Sequence, residues 1–248
     1  MMYKNGLNNR YREERVSKTL GIIAGGYLIL CFIAPASLPQ DSVPELSGRA
    51  NAFDYAFHDS WGNQNHGENS DLGHNQLLHG GTFAWTDLNV AWAIVYAIGD
   101  INCHQKYERS WEINGNQMPV CTRDIGIFLG FFVGCLIFGL RGVNRWTIRD
   151  TFLSVFPDRK IGYLYQKDLR LYATYFVLFI GLLPMAIDGF TQLFLDSYES
   201  NNPLRIITGF FAGGVLGCWF SSALSARPAL FQSSEEVLLP GGAKLVSN

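Results

Sequence analysis

The chain has 248 residues, a formal net charge of −2, 48 % apolar residues and a mean hydropathy of +0.08. The near-zero charge argues nothing about nucleic acid, and with no basic stripe interleaved with aromatics that class is set aside. No Gly-x-x-x-x-Gly-Lys-Ser/Thr phosphate loop and no Gly-x-Ser-x-Gly nucleophile turn is present, which sets those two enzyme classes aside.

Residues 1–18 are polar and basic, and residues 19–40 carry no charge. A spanning helix needs roughly 20 apolar residues, with about 17 as the lower limit. The basic lead and Ala34-Pro35-Ala36 resemble a secretory signal, but the uncharged run is long for one, so a retained first helix is expected. The large residue ahead of Cys31, Leu30, makes a poor lipoprotein site. Residues 41–87 form a polar, turn-rich tract with His58, His66, His74 and His79 beside Asp54, Asp59, Glu68 and Asp71. His-rich tracts can gather metal. These spacings fit no structural zinc pattern, and a solvated loop covering the membrane face is the plainer expectation. Residues 88–99 are apolar but reach only about 18 Å as a helix. They read as a re-entrant or interfacial helix, with Asp87 as its cap. Three more apolar runs follow, at 125–140, 171–195 and 206–226, and Asp188 is the one charge among them.

The expected fold is an all-α membrane protein. It has four transmembrane helices, a short re-entrant or interfacial helix and a polar extracytoplasmic loop. The helical membrane core covers residues 88–226. Residues 1–18 hold five Lys/Arg and residues 141–170 hold seven, while residues 41–124 hold four against eleven acids. Positive charge marks the cytoplasmic side. The N-terminus, the 141–170 segment and the 227–248 tail are therefore expected in the cytoplasm, and the 41–124 segment outside, in the cell membrane. A crossing by residues 88–99 would put the seven-charge segment on the wrong side.

Several motifs carry a resemblance. They are Cys103-His104-Gln105, Glu108-Arg109-Ser110, Gly115-Asn-Gln-Met-Pro119-Val-Cys121-x-Arg123 and Gly126-Ile-x-x-Gly130. Pro184-x-x-x-Asp188-Gly189-x-Thr191-Gln192 and Glu199-Ser200-Asn201-Asn202-x-Leu204-Arg205-x-x-Thr208-Gly209 follow in the second half. Together they resemble the DUF2085 family of predicted integral membrane proteins, over roughly residues 90–225. The resemblance implies a membrane fold and a set of shared residues, and no established activity. Many members resemble Cys-x-Arg-Cys where this chain has Cys121-Thr122-Arg123-Asp124. Thiolate and carboxylate both ligate metals, so such an exchange fits a metal site better than a disulfide.

Cys103, His104, Cys121 and Asp124 supply four ligands of the kind zinc or another divalent metal prefers. A Cys103–Cys121 disulfide is the rival, contributing on the order of 3 kcal/mol in an oxidising compartment. Cys31, Cys135 and Cys218 read as small core residues. An aspartate at the centre of a spanning helix costs roughly 2.5–3.5 kcal/mol, so Asp188 must face the bundle interior, a wet cavity or a cation. Thr191 and Gln192 share its face, in a polar stripe leading to Asp196 and Glu199. Arg123 and Arg205 are its candidate partners. Asn202 reads as a helix cap with Pro203 at the first position, which places Arg205 in the first turn. Gly126, Gly130 and Gly134, and then Gly209, Gly213 and Gly217, form small-residue faces. The second and fourth spanning helices are expected to touch there and to bring Arg123 near Arg205, with an anion between them.

Three functions stay open. A membrane-embedded metal enzyme would use an open metal position, with Arg109, Arg123 and Arg205 holding the anionic group of a lipid-linked phosphate. Asp188 or Glu108 would serve as base, and Gln192 would line the same face. A metal carrier, small transporter or accessory subunit would use the His-rich loop to collect a cation. The apolar stretch inward of Asp188 counts against a through-pore. A purely structural protein would hold a disulfide and ion pairs.

Overall fold

The computed structural model describes residues 2–49, 52–70, 73–195 and 197–245, with no side chains described at 68–70. Asp71, Asp196 and the side chain of Glu68 lie outside the described residues. The chain is mainly helical, with two short two-stranded sheets. In order come α1 (Tyr11–Ser37), β1 (Asn65–Ser70), β2 (Gly73–Asn75), α2 (Val90–Asn102), β3 (Glu112–Ile113), β4 (Asn116–Gln117), α3 (Thr122–Arg141), α4 (Ile148–Leu153), α5 (Asp158–Gln166), α6 (Arg170–Phe194) and α7 (Asn202–Ser225). Four of these, α1, α3, α6 and α7, are long and apolar enough to cross a membrane, and α2 is a shorter apolar helix. The four expected spans are therefore present. Two compact units divide the chain.

The first unit comprises Met1–Gly25, Ile127–Phe194 and Phe210–Asn248. Here α3 and α7 meet backbone to backbone. A side chain at Gly130 would collide with the Phe210 carbonyl, one at Gly134 with Gly214, one at Gly213 with Ile127 and one at Gly217 with Phe131. Only glycine permits that approach, which is how small-residue faces join helices in lipid. Arg10 donates to the Gly139 and Gly142 carbonyls at 2.8 and 2.6 Å, and Arg12 to the Leu224 carbonyl at 2.6 Å. These two cations thus satisfy the open carbonyl ends of α3 and α7. The core gathers Phe152, Leu153, Ile161, Tyr165, Val215 and Cys218 with Phe231, Val237 and Leu239. Residues 227–245 are consequently not a loose tail. The Pro240–Gly242 turn packs on α5, where the two glycines Gly162 and Gly241 let the backbones touch. By contrast α6 exposes Tyr172, Phe176, Phe179, Ile187, Phe190 and Phe194.

The second unit comprises Gly26–Gly126 and Leu195–Gly209. The described residues of 41–87, expected as a solvated loop, are folded. Asp100 accepts the backbone N–H groups of Asp54 and Tyr55 at 3.0 and 2.9 Å and the Trp85 indole at 3.1 Å. Tyr55 and Phe83 pack beside Tyr96 of α2. The cap of α2 is Asn89, which accepts from Trp92 N–H at 3.2 Å. Asp87, expected in that role, sits one turn earlier and pairs with His58 at 3.0 Å. With 13 residues, α2 spans only about 20 Å, in keeping with an interfacial helix. Asn114-Gly115 turns the β3–β4 hairpin with φ of 55° and 70°, the type I′ geometry that this dipeptide favours. Asn201, not Asn202, caps α7, accepting from Leu204 N–H at 2.9 Å.

Candidate metal centre

Cys103 follows the last turn of α2, where its N–H donates to the Gly99 carbonyl at 2.8 Å. Gly99 is needed there, because a Cβ would strike the Pro119 carbonyl. Gln105, at φ 46°, donates its amide to Pro119 at 2.6 Å, and Gln117 donates to the Gln105 carbonyl at 2.9 Å. These bonds hold the segment after α2 against the one before α3. Cys121 N–H then donates to Cys103 Sγ at 3.1 Å, and Cys121 Sγ donates to Asp124 Oδ2 at 3.3 Å. Asp124 lies in the first turn of α3, three residues on, so both side chains share a face.

The ligand atoms of Cys103, Cys121 and Asp124 all lie within 4.8 Å of one another. Bonds of about 2.3 Å to sulfur and about 2.1 Å to oxygen set tetrahedral ligands ~3.5 Å apart, so small shifts close the group on an ion. Both cysteines are free thiols, and no disulfide joins them. Burial, with Cys121 and Asp124 beside it, pushes the Cys103 thiol well above its ordinary pKa. A metal there would have to displace that proton.

His104 is not part of the group. Its ligand atoms are not gathered with the other three, and its ring is partly buried among cations. The packed chain, then Arg109, Lys106, Arg123 and Arg205, lower its pKa to about 4, so it is neutral at neutral pH. The expected four-ligand set is thus three in this structure. Cys31, expected as core filling, is fully buried. It hydrogen-bonds to Tyr27, and both stand within electrostatic reach of Asp124. The Tyr27 hydroxyl also donates to the Val95 carbonyl at 3.2 Å.

Beside the triad lies a cationic group. Arg205 is 1 % exposed, with its Nε donating to the Ser200 carbonyl at 2.9 Å. Glu199 bridges two guanidiniums, 3.4 Å from Arg205 Nη2 and 3.6 Å from Arg109 Nε. Arg109, Arg123 and the Cys121 sulfur all lie within electrostatic range of Arg205. Thr122 ties the pieces together, its hydroxyl 3.2 Å from the Arg109 carbonyl and 3.0 Å from Asn202 Oδ1. Neither Thr122 nor Tyr27 was singled out from the sequence. Thr122 sits inside the Cys-x-Arg-Asp motif, while Tyr27 lies in an apolar run that gives no sign of it. Glu108 is exposed on the Tyr107–Arg109 turn. Asp188, buried at 4 % exposure, and Gln192 belong to α6, in the first unit.

A model of the family described as predicted membrane protein (DUF2085) matches residues 103–219. An uncharacterised protein of Methanocaldococcus jannaschii is 38 % identical over 119 residues, covering 48 % of this chain and 61 % of that protein. An uncharacterised protein of Methanothermobacter thermautotrophicus is 35 % identical over 111 residues, covering 45 % of this chain and 77 % of that protein. The chain thus spans somewhat under two thirds of the first of these relatives. No solved structure matches it.

Proposed function

The chain belongs to the DUF2085 family of predicted membrane proteins, and on that premise we propose that it is a membrane-embedded metalloprotein acting on an anionic, lipid-linked substrate. Cys103, Cys121 and Asp124 would hold a divalent ion, zinc by the softness of two thiolates. The observation that carries this reading is the triad's proximity to Arg109, Arg123 and Arg205. Three protein ligands leave a fourth position for water or substrate, the pattern of catalytic rather than structural zinc. When bound, such an ion supplies Lewis-acid polarisation of a phosphoryl or carbonyl oxygen.

The chain's own residues have separate tasks. Arg205, desolvated and held by Ser200 and Glu199, offers a rigid donor fork to an oxyanion. Arg109 shares Glu199 and is released toward a ligand that displaces this exposed carboxylate. Glu108 is the accessible carboxylate for a proton-transfer role. The charge asymmetry of the sequence puts the site at the extracytoplasmic membrane face and both termini in the cytoplasm.

Metal analysis of detergent-purified protein tests the reading. About one equivalent of metal is expected in the wild type by the three-ligand count, and almost none in Cys103→Ala or Cys121→Ala. Arg123→Gln should keep the metal and lose turnover of lipid phosphates. A wild-type protein that binds no zinc on titration overturns it. A second reading, a metal carrier or accessory subunit, is favoured by an open cleft of about 390 Å³ lined by Asp41, Glu45, His79 and Glu112. It predicts metal retention with no turnover of any lipid phosphate.

A further inference from the structure

In the first unit, α1 and α3 meet at small residues. A Cβ on Gly139 would strike the Ser17 hydroxyl, whereas one on Gly21 would meet only side-chain atoms of Cys135 and Phe132, none nearer than 3.6 Å. That is ordinary van der Waals distance. Helix contact therefore demands glycine at 139 and does not demand it at 21.

Gly21 instead keeps a groove open. The groove holds about 350 Å³ between the two helices. Gly21 and Cys135 line it from the buried side, and Ile22, Leu136 and Leu140 line it from the exposed side. Its lining runs from Glu14 to Ile22 on α1 and from Phe132 to Leu140 on α3, about 12 Å along each helix. That volume over that length leaves a cross-section of roughly 30 Å². A helix, about 10 Å across, does not fit, and one hydrocarbon chain does.

One end of the groove is charged. Glu14 and Lys18, both exposed, line it one turn apart on α1. Residues four apart stand about 5–6 Å apart at Cβ, and glutamate ahead of lysine is the favourable order for a pair. Even so, Glu14 leans toward Arg10, at 3.8 Å, and Lys18 has no ion pair among the described residues. An apolar trough thus ends beside a cation and a carboxylate that do not neutralise each other.

We propose that this groove holds one zwitterionic aminophospholipid, of the phosphatidylethanolamine type, from the surrounding bilayer. One acyl chain lies in the trough. The phosphate meets Lys18, and the ammonium, two carbons away, meets Glu14. An anionic lipid without the amine satisfies Lys18 and leaves Glu14 without a donor. The proposal is independent of the metal reading, whose residues belong to the second unit.

The test uses full-length protein, purified in detergent and freed of lipid. Dioleoylphosphatidylethanolamine or dioleoylphosphatidylglycerol is titrated into the micelles. The thermal midpoint is the readout, because a ligand that binds only the folded state raises it. Native mass spectrometry counts the lipid retained. The wild type should keep a single phosphatidylethanolamine and respond to it at about a fivefold lower mole fraction than to phosphatidylglycerol, the worth of one exposed charge contact. Lys18→Gln should weaken both lipids about fivefold, and Glu14→Gln only the first. Gly21→Leu fills the trough and should abolish both responses. Its midpoint without lipid reports whether it folds. The two charge variants alter exposed side chains and decide the matter if it does not. Equal responses of the wild type to the two lipids, or a Glu14→Gln protein that still prefers phosphatidylethanolamine, overturn the proposal. So does a folded Gly21→Leu protein that responds as the wild type does.

Discussion

The polar stretch between α1 and α3 and the one between α3 and α6 bury their polar groups by opposite means. The first uses neutral amides. Asn116 accepts from Val43 N–H at 2.8 Å and donates to the Pro35 and Pro39 carbonyls, each at 3.0 Å. Gln117 accepts from Leu46 N–H at 2.7 Å, and Asn63 both donates to and accepts from Phe83, at 2.7 and 2.9 Å. An amide carries donor and acceptor together, so one side chain can join several backbone groups. The second stretch uses guanidiniums and carboxylates, whose donors and acceptors are on different residues, and it is joined by ion pairs such as Arg145–Asp158 at 2.7 Å and Arg170–Asp150 at 3.7 Å. The difference teaches that one stretch is fixed by directional amide bonds to the backbone and the other by charge pairing between side chains.

Three measurements break or sharpen that contrast. The largest effect is expected at Asn116→Leu, which strands one N–H and two carbonyls. At roughly 1–3 kcal/mol per stranded buried group, stability should fall by about 4 kcal/mol in equilibrium unfolding in detergent. A loss under about 1 kcal/mol would mean that the amide network is not the scaffold.

A middle effect is expected at Asp100, a carboxylate that the amide-rich stretch buries as a hub. Burial raises its pKa from 3.8 to about 6, partly offset by its three donors. An acid with a raised folded pKa binds more protons folded than unfolded between those values. Its contribution to stability is therefore complete below pH ~3.8 and lost as pH climbs through about 6. Relative to Asp100→Asn, the wild type should lose stability between about pH 4 and about pH 6.5; a constant difference across that range contradicts the shift.

The smallest effect is expected at Tyr165→Phe. Its hydroxyl forms no well-aligned hydrogen bond although it stands beside Asp150 and Arg145, so removal should change stability by no more than about 1 kcal/mol. A larger loss would show that a directional bond there also holds the charged stretch.

Much of the fold was legible because lipid imposes a coarse rule: an uncharged run of sufficient length must become a helix. The α3–α7 contact was legible for a related reason, since glycines every four residues have no better use on a spanning helix. Caps were legible only to within a residue or two, because Asn89 competes with Asp87, and Asn201 with Asn202, for the same N–H groups. Arg10 and Arg12 show another limit. Their charge marks orientation in the sequence, while their hydrogen bonds to α3 and α7 carbonyls depend on where those helix ends arrive. In the candidate site, Cys103, Cys121 and Asp124 were legible from motif and spacing. The separation of His104 from them was not, because a neighbour in sequence need not face the same way after a helix ends.

By itself, then, the order of residues determined four long apolar helices, one short one, the basic and acidic segments and the cysteine pair with its carboxylate. Those depend on local composition and short spacing, which the backbone expresses wherever it lies. Only the tertiary structure decided that Thr122 joins two helix starts, that residues 227–245 seal a core, and that Arg145 and Tyr165 come to stand beside Asp150. Contacts of that kind join residues far apart in the chain, and no periodicity in the sequence encodes which distant partner will stand opposite.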